Sequence, residues 1–493
     1  MQADEPQSTR REPRRARHPG GDRSRSAQRR LTAIEDALGD AFERLAAAGA
    51  EVVGLRGAQV APRYHHGGDL DLGCAPAHFR AVLRALLEAS EEHGVTVASV
   101  HRAPSMVQLQ LYARSGPGAH HHLCVDVHAR ETCFGVPFLD LDGVRSAPVD
   151  PRAPRRPDDA ASALIDFLTP FLSGLYVHPG YLSRLRAVAS GHASSLRALL
   201  GALVGSARAD AFLAALGSDS PGEALGRRAA GFRRALLARA ALRRPHRALA
   251  GLAACVWAAR LRPLLRPRGR VVALLGTDGT GKTTLGERLL DELRPSFRSS
   301  HSGIVKLRPG LLPQLGRLLG RRPTESDFAR PHRAAPSGWT MTAVRAAYYW
   351  LDYVAGYALR VLPLRRRNTL LVFDRWVDDW LVDPARYRMR AGHPVVRTLA
   401  RLTPRPDVTL VTTAPLRTVR QRKQELEARE SLRQLAAYER LAETRDDVFL
   451  VPTGSGVEPA VDAALAALFP SDRARGSAAP PAPRPVPSAR SAA

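Results

Sequence analysis

Between Val271 and Thr284 the sequence reads Val-Val-Ala-Leu-Leu-Gly-Thr-Asp-Gly-Thr-Gly-Lys-Thr-Thr, and few folds accommodate such a run. The continuous apolar stretch Val271–Leu275 is what a strand buried on both faces of a parallel sheet requires. Gly276, Gly281, Lys282 and Thr283 then follow the spacing G-x-x-x-x-G-K-[ST]. Glycines at these places let the backbone curl so that several N–H groups point at one centre. A helix starting at Thr283 would turn its unsatisfied N–H groups and positive dipole end toward the same anion. Lys282 adds a point charge for β and γ phosphates, and Thr283 a hydroxyl for Mg²⁺. The loop Gly276-Thr277-Asp278-Gly279-Thr280-Gly281-Lys282-Thr283-Thr284 is therefore expected to hold ATP or a similar nucleotide. The lysine is no accident of composition, since Lys282, Lys306 and Lys423 are the three lysines of the chain.

A chain of 493 residues is too long for one ordinary core, so two or three domains are expected. Residues 1–30 are polar and rich in arginine and read as a disordered basic arm. Residues 31–150 mix a helix at 31–48, strands at 52–55 and 69–72, a helix at 77–89, and strands at 95–100, 106–112 and 123–128. That pattern predicts a smaller α+β domain, closed by the Pro/Arg-rich break Asp150–Pro157. Residues 151–267 read as a helical connector rich in Ala, Leu and Arg. From 268 to 470, strands at 271–275, 302–306, 369–373, 408–412 and 448–451 alternate with helices, which predicts a doubly wound parallel α/β sheet. Residues 471–493, mostly Pro, Ala, Ser and Arg, read as a disordered tail.

The formal net charge is +26, nearly all of it arginine. Such a field favours nucleic acid, anionic membrane surfaces and phosphorylated substrates. No DNA- or RNA-binding signature accompanies it, so nucleic acid would have to be met through the basic arm. No run of 18 or more uncharged apolar residues occurs. The best candidate, Leu249–Ala259, is flanked by Arg247, Arg260 and Arg262 and is too short to span a bilayer. Met1-Gln2-Ala3-Asp4-Glu5 does not open a secretory signal. Cys74, Cys124, Cys133 and Cys255 form no C-x-x-C pair, which fits a reducing cytoplasm.

Two further segments bear on chemistry. Leu370-Leu371-Val372-Phe373-Asp374-Arg375-Trp376 is an apolar strand ending where parallel strands line a ligand crevice. Asp374 there can hold Mg²⁺ or its water, and Arg375 can bridge transferring phosphates. Arg405-Pro406-Asp407-Val408 leads through a strand into a helix bearing Arg417, Arg420, Arg422, Lys423 and Arg429. That helix reads either as a lid over triphosphate or as an exposed basic helix paired with Glu425 and Glu427.

Together these segments resemble the thymidylate kinase family, over roughly residues 270–470. The resemblance implies ATP and Mg²⁺ as cofactors and a phosphotransferase activity on a small-molecule acceptor. It assigns Lys282 and Thr283 to ATP and Mg²⁺, Asp374 to the metal or the acceptor, and Arg375, Arg420 and Arg422 to the developing charge. Arg308 becomes a candidate for acceptor contact. Where the family carries Arg-Glu-Pro-Gly-Gly, this chain has Leu307-Arg308-Pro309-Gly310-Leu311-Leu312. The aromatic run Tyr348–Tyr353 replaces an Ala-Asp-Arg segment, and Arg321–Gly338, with Arg330-Pro331-His332, has no counterpart. The donor half is thus kept and the acceptor half remodelled. A nucleoside monophosphate is one expected acceptor and a sugar or polysaccharide precursor another. An ATP-gated nucleic-acid-binding protein without kinase activity is the rival, and a homodimer is left open.

In the N-terminal region, Gly67-Gly68-Asp69-Leu70-Asp71-Leu72 puts two carboxylates on one face of a strand. Asp126, in Leu123-Cys124-Val125-Asp126-Val127-His128, lies on a later strand. This resembles the nucleotidyltransferase superfamily, with Asp69, Asp71 and Asp126 as metal ligands, although Gly54-Leu55-Arg56-Gly57-Ala58 upstream lacks the family's serine. His120-His121-His122, read as part of an exposed loop beside Gly116-Pro117-Gly118, and His65-His66 lack metal-ligand spacing.

Overall fold

The computed structural model describes residues 23–470 except 57–67, 104, 117–118, 142–143, 145, 263–266, 268, 298–300, 314, 316–334 and 423–427. Arm residues 1–22, the tail, His65-His66, Gly57-Ala58, most of the 321–338 insertion, and Lys423, Glu425 and Glu427 lie outside the described residues.

The N-terminal unit runs α1 (Arg23–Ala47), β1 (Val52–Leu55), β2 (Gly68–Cys74), α2 (Phe79–Glu92), β3 (Thr96–Arg102), β4 (Met106–Gly116) and β5 (Ala119–His128). The short pairs β6 (Arg130–Cys133) with β7 (Val136–Asp140) and β8 (Ser146–Ala147) with β9 (Arg156–Pro157) follow. The five long strands form one sheet in the order β1-β2-β5-β4-β3, with β2 and β5 parallel and the other neighbours antiparallel. Period-two alternation sends Leu70, Leu72, Leu109, Leu111, Val125 and Val127 to one face, where Ile34, Leu38 and Phe42 of α1 and Val82 and Leu86 of α2 cover them. The opposite face carries Asp69, Asp71, Asp126 and His128, with the apolar Val53 and Leu55 at its β1 edge.

Two expectations change. α1 starts at Arg23, inside the segment expected as an unstructured arm. His120–His122 lie on β5, and His121 and His122 are buried. The β4–β5 ladder runs as far as Gly116↔Ala119, so the histidines fall inside a paired strand.

The connector is α3 (Asp159–Ser173), α4 (Pro179–Val204), α5 (Ser206–Leu216), α6 (Pro221–Arg243) and α7 (Pro245–Val256), which continues into a π-helical turn at Trp257–Leu261. Asp158 caps α3 through the Ala161 N–H, and prolines open α4, α6 and α7, where their missing N–H costs nothing. Phe167, Phe171, Phe212 and Phe232 meet with centroids 5.0–6.0 Å apart at the centre of the bundle. By length and composition α4 could cross a membrane. Its Leu185, Leu196, Leu200 and Val204 are buried in the bundle core. The Asp150–Pro157 break is stitched to the first sheet, because the Arg155 N–H donates to the Val52 carbonyl and its carbonyl accepts from Gly54.

The C-terminal unit is β10 (Arg270–Leu275), α8 (Lys282–Leu293), β11 (Gly303–Lys306), α9 (Trp339–Gly356), α10 (Leu362–Arg366), β12 (Leu370–Asp374), α11 (Asp379–Val382), α12 (Pro394–Leu402), β13 (Val408–Thr413), α13 (Leu416–Arg422), α14 (Ala428–Thr444), β14 (Val448–Pro452) and α15 (Val457–Leu468). All strand pairs are parallel, in the order β11-β12-β10-β13-β14. Val272, Leu274, Val372 and Leu410 bury one face against α8 and α15. Val271, Ala273, Phe373 and Val411 bury the other against α9 and α14. Because β10 is flanked by β12 and β13, the crevice of this sheet opens at the carboxyl end of β10.

The two sheets meet at the C-terminal end of α8. Tyr112 and Arg114 of β4 donate to Glu292 at 2.7 and 2.6 Å, and the His122 ring lies 2.7 Å from Ser296 Oγ and 2.9 Å from the Glu292 carbonyl. Arg114 also pairs with Glu458 and Asp462 of α15, and Glu292 is fully buried.

Candidate functional site

The loop between β10 and α8 takes the conformation its glycines permit. Gly276, Gly279 and Gly281 have φ of 135°, 90° and 87°. A Cβ on Gly276 would stand 2.5 Å from Thr412 Oγ1, so no larger residue fits against β13. Threonine hydroxyls pin the loop from below. Thr280 Oγ1 donates to the Thr277 carbonyl at 2.7 Å and contacts Thr412 Oγ1 at 2.6 Å, while Thr453 Oγ1 donates to the Thr280 carbonyl at 2.7 Å.

Lys282 is buried, and its Nζ donates to the carbonyls of Gly276 and Thr277, both at 2.9 Å. Burial, aided by the nearby Arg375 guanidinium and opposed by Asp278, lowers its ammonium to about 8. A cavity of 720 Å³ opens over the loop. Its wall includes Thr283 and Thr284 from the first turn of α8, Asp374 and Arg375 from the end of β12, and Arg422 from α13. Lys306, Arg386, Thr453, Val457 and Ala460 complete the surfaces that matter chemically.

Asp374 Oδ1 is buried without a hydrogen-bond partner. An unpaired carboxylate oxygen costs free energy unless a cation or water meets it. Together with the hydroxyl of Thr283 on the same wall, this oxygen fits a hard divalent cation such as Mg²⁺.

Arg375 is set differently. Its φ of 86° is rare for a side chain this large and turns it back toward the loop, where it pairs with Asp278 and Asp379. Burial works against its charge, but Asp379 and Asp278 hold the guanidinium well above its ordinary value. Asp278 also binds Arg386, and Tyr438 and Tyr387 donate to Asp379. The Asp of the loop is therefore a strut between loop and β12, which the loop spacing alone did not reveal.

Arg422 is exposed on the cavity wall, and the side chain of Arg420 is outside the described residues. Arg308 is not on that wall. It lies 3.4 Å from the buried carboxylate of Asp352, donates to the Pro313 carbonyl at 3.1 Å, and covers the Tyr349 ring. Lys306 and Arg386 were not among the expected site residues. Lys306 had a signal, as one of three lysines at the end of a strand. Arg386 had none, because its partner Asp278 is 108 residues away.

A second polar centre lies on the N-terminal sheet. Parallel register puts Asp71 directly beside Asp126, and ligand atoms of Asp71, Asp126 and His128 lie within 4.8 Å of one another. Asp69 is on the same strand face but exposed. Arg56 enters this group, donating to Asp71 at 2.8 Å and Glu131 at 3.0 Å, and standing 3.2 Å from His128 Nε2. Burial pulls Asp71 upward, but His128 and Arg56 outweigh it and hold its carboxyl below the usual value. Burial and the Asp71 charge raise Asp126, against hydrogen bonds that lower it. His128, Arg56 and Glu131 were not foreseen as members.

No family model matches the chain. No curated protein matches it either. Among solved structures, thymidylate kinase from Candida albicans is similar at 15% identity and a TM-score of 0.29, covering 40% of this chain and 88% of its own. Thymidylate kinase from Ehrlichia chaffeensis is similar at 14% identity and a TM-score of 0.29, covering 41% of this chain and 99% of its own.

Proposed function

We infer that the C-terminal unit is an ATP- and Mg²⁺-dependent phosphotransferase whose acceptor carries its own anionic group. One observation carries this reading: a single 720 Å³ cavity is lined by Lys282 and Arg422, by Asp374, and by two further cations, Lys306 and Arg386. A hydrolase needs cations for its nucleotide and room for a water. Lys306 and Arg386, in addition to the cations of the loop and of α13, suit a second anion beside a donor phosphate chain.

In this reading the loop N–H groups and Lys282 hold the β and γ phosphates, and the base lies against Val457 and Ala460. Asp374 and Thr283 hold the divalent cation, which neutralises phosphate charge when bound. Lys306 and Arg386 orient the acceptor so that its oxygen faces the γ-phosphorus in line. The bond to the β-phosphate oxygen breaks as the bond to the acceptor oxygen forms, and ADP leaves. Asp278, tied to Arg375 and Arg386, keeps donor and acceptor walls in register.

The test is ADP formation across nucleoside monophosphates and phosphorylated sugars, with Lys282→Ala alongside. Acceptor-dependent turnover that falls about a hundredfold or more in the variant is expected. Turnover indifferent to Lys282, or stimulated by no phosphorylated acceptor, would sink the assignment.

The paired Asp71 and Asp126 favour a second reading, that the N-terminal unit is a nucleotidyltransferase-like site. Asp71, Asp126 and His128 would hold its cation, with Arg56 balancing the carboxylates before the cation enters. Mn²⁺ titration followed by electron paramagnetic resonance tests this in the Lys282→Ala background. Loss of one bound Mn²⁺ in Asp71→Asn/Asp126→Asn is expected, and unchanged stoichiometry refutes it.

A further inference from the structure

Helix α7 wears its residues inside out. Its inward positions are small: Ala248 is buried, as is Ala258 of the π-helical turn, and a Cβ on Gly251 would stand 2.0 Å from the Gly135 carbonyl in the β6–β7 turn. Its large apolar residues point away from the protein. Leu249, Leu252 and Val256, three and four residues apart, are 68%, 43% and 57% exposed. The π-helical turn keeps Trp257 and Leu261 on the outside too, at 48% and 46%. A surface helix that only had to support this fold would turn such a stripe toward the core.

The charge around the stripe is mostly positive, with Arg244 paired to Asp140 of β7. Arg243, Arg244 and Arg247 precede it, and Arg260 and Arg262 follow it. From Ala224 to Thr277 the sequence contains no Asp or Glu. Beside the first end of the helix, a cavity of 200 Å³ is lined by Arg239, Arg243, Arg244 and Arg247 against the single acid Asp140, an excess of cations suited to a phosphate group.

These features choose among occupants. Nucleic acid would satisfy the arginines but leave Leu249, Leu252, Val256 and Trp257 against phosphates. A second copy pairing through this face would bring two arginine rims together with only Asp140, already bound to Arg244, to offset them. An anionic lipid surface takes both parts at once, acyl chains meeting the apolar stripe and headgroup phosphates meeting the arginines. Trp257 is the residue type that prefers the boundary between them. We propose that α7 and its π-helical turn lie flat in the surface of an anionic membrane and hold the protein there. The apolar run Leu249–Ala259 is too short to cross the bilayer, so the helix rests in the plane.

Sedimentation of the full chain with vesicles of phosphatidylcholine, with and without phosphatidylglycerol, tests this. Binding is expected with phosphatidylglycerol and to fall about tenfold or more in Leu249→Ser/Leu252→Ser. The thermal midpoint and nucleotide binding of that variant should not change, since both side chains are exposed. Quenching of tryptophan fluorescence by brominated phosphatidylglycerol should disappear in Trp257→Phe. Equal vesicle binding by wild type and the serine variant would show that the basic arm alone is responsible, and would overturn the proposal. So would quenching that survives Trp257→Phe, or a dimer in vesicle-free solution that the serine variant dissociates.

Discussion

Lys282 carries a cost in the empty loop that a nucleotide would remove. Buried between two carbonyls, its ammonium sits near 8, below the ordinary lysine value. Phosphate oxygens at the same place would favour the charged form and raise that value. Linkage then sets the sign. Above about 8 the empty site is largely unprotonated, so binding takes up a proton and affinity falls as pH rises through the raised value of the complex. Below about 8 the site is charged before binding, and affinity no longer depends on this group. Calorimetry at pH 9 or so, in buffers of different ionisation enthalpy, should therefore register uptake of roughly one proton per nucleotide in wild type. It should register none from this group in Lys282→Met.

At the scale of elements, legibility followed how local each cause is. Val271–Leu275 could be read as a buried parallel strand because five adjacent side chains say so without help from the rest of the chain. Asp69 and Asp71 could be placed on one face of β2 by alternation alone, whereas the register that sets Asp126 beside Asp71 could not. The partners that arrive from elsewhere were hidden. Arg386 reaches Asp278 from a 3₁₀ turn capped by Asp383, and nothing about residues 383–387 announces that destination. Arg308 was singled out for its neighbourhood, yet its guanidinium lies against Asp352 on α9. The aromatic run Tyr348–Tyr353 stood out in the sequence only as a departure from the family's Ala-Asp-Arg segment. Tyr353 is fully buried against Trp376 and Trp380, and its hydroxyl donates to the Leu307 carbonyl. The histidine run was misplaced for the same reason: glycine and proline beside it read as a loop, and only pairing with β4 shows the strand.

Across the whole molecule, Arg114 is the fastening between the two sheets. It is nine-tenths buried and serves Glu292, Glu458 and Asp462, while Tyr112 shares Glu292. Removing it strands a fully buried carboxylate. Arg114→Ala should lower the unfolding free energy of the C-terminal unit by about 3–5 kcal/mol, read from denaturant titration. Arg114→Ala/Glu292→Leu should recover much of that loss, because no buried charge is then left alone. Recovery separates a broken ion pair from a cavity, which the second substitution would not repair.

Helix α8 has a cup at one end and a fastening at the other: its first turn presents Lys282 and Thr283, and its last carries Glu292. Anyone who trims the gene near residue 268 for a convenient enzyme also discards Tyr112, Arg114 and His122. The shortened product would keep every residue of the nucleotide loop while losing the masonry behind it. Its rate constants would describe that missing wall as much as the chemistry.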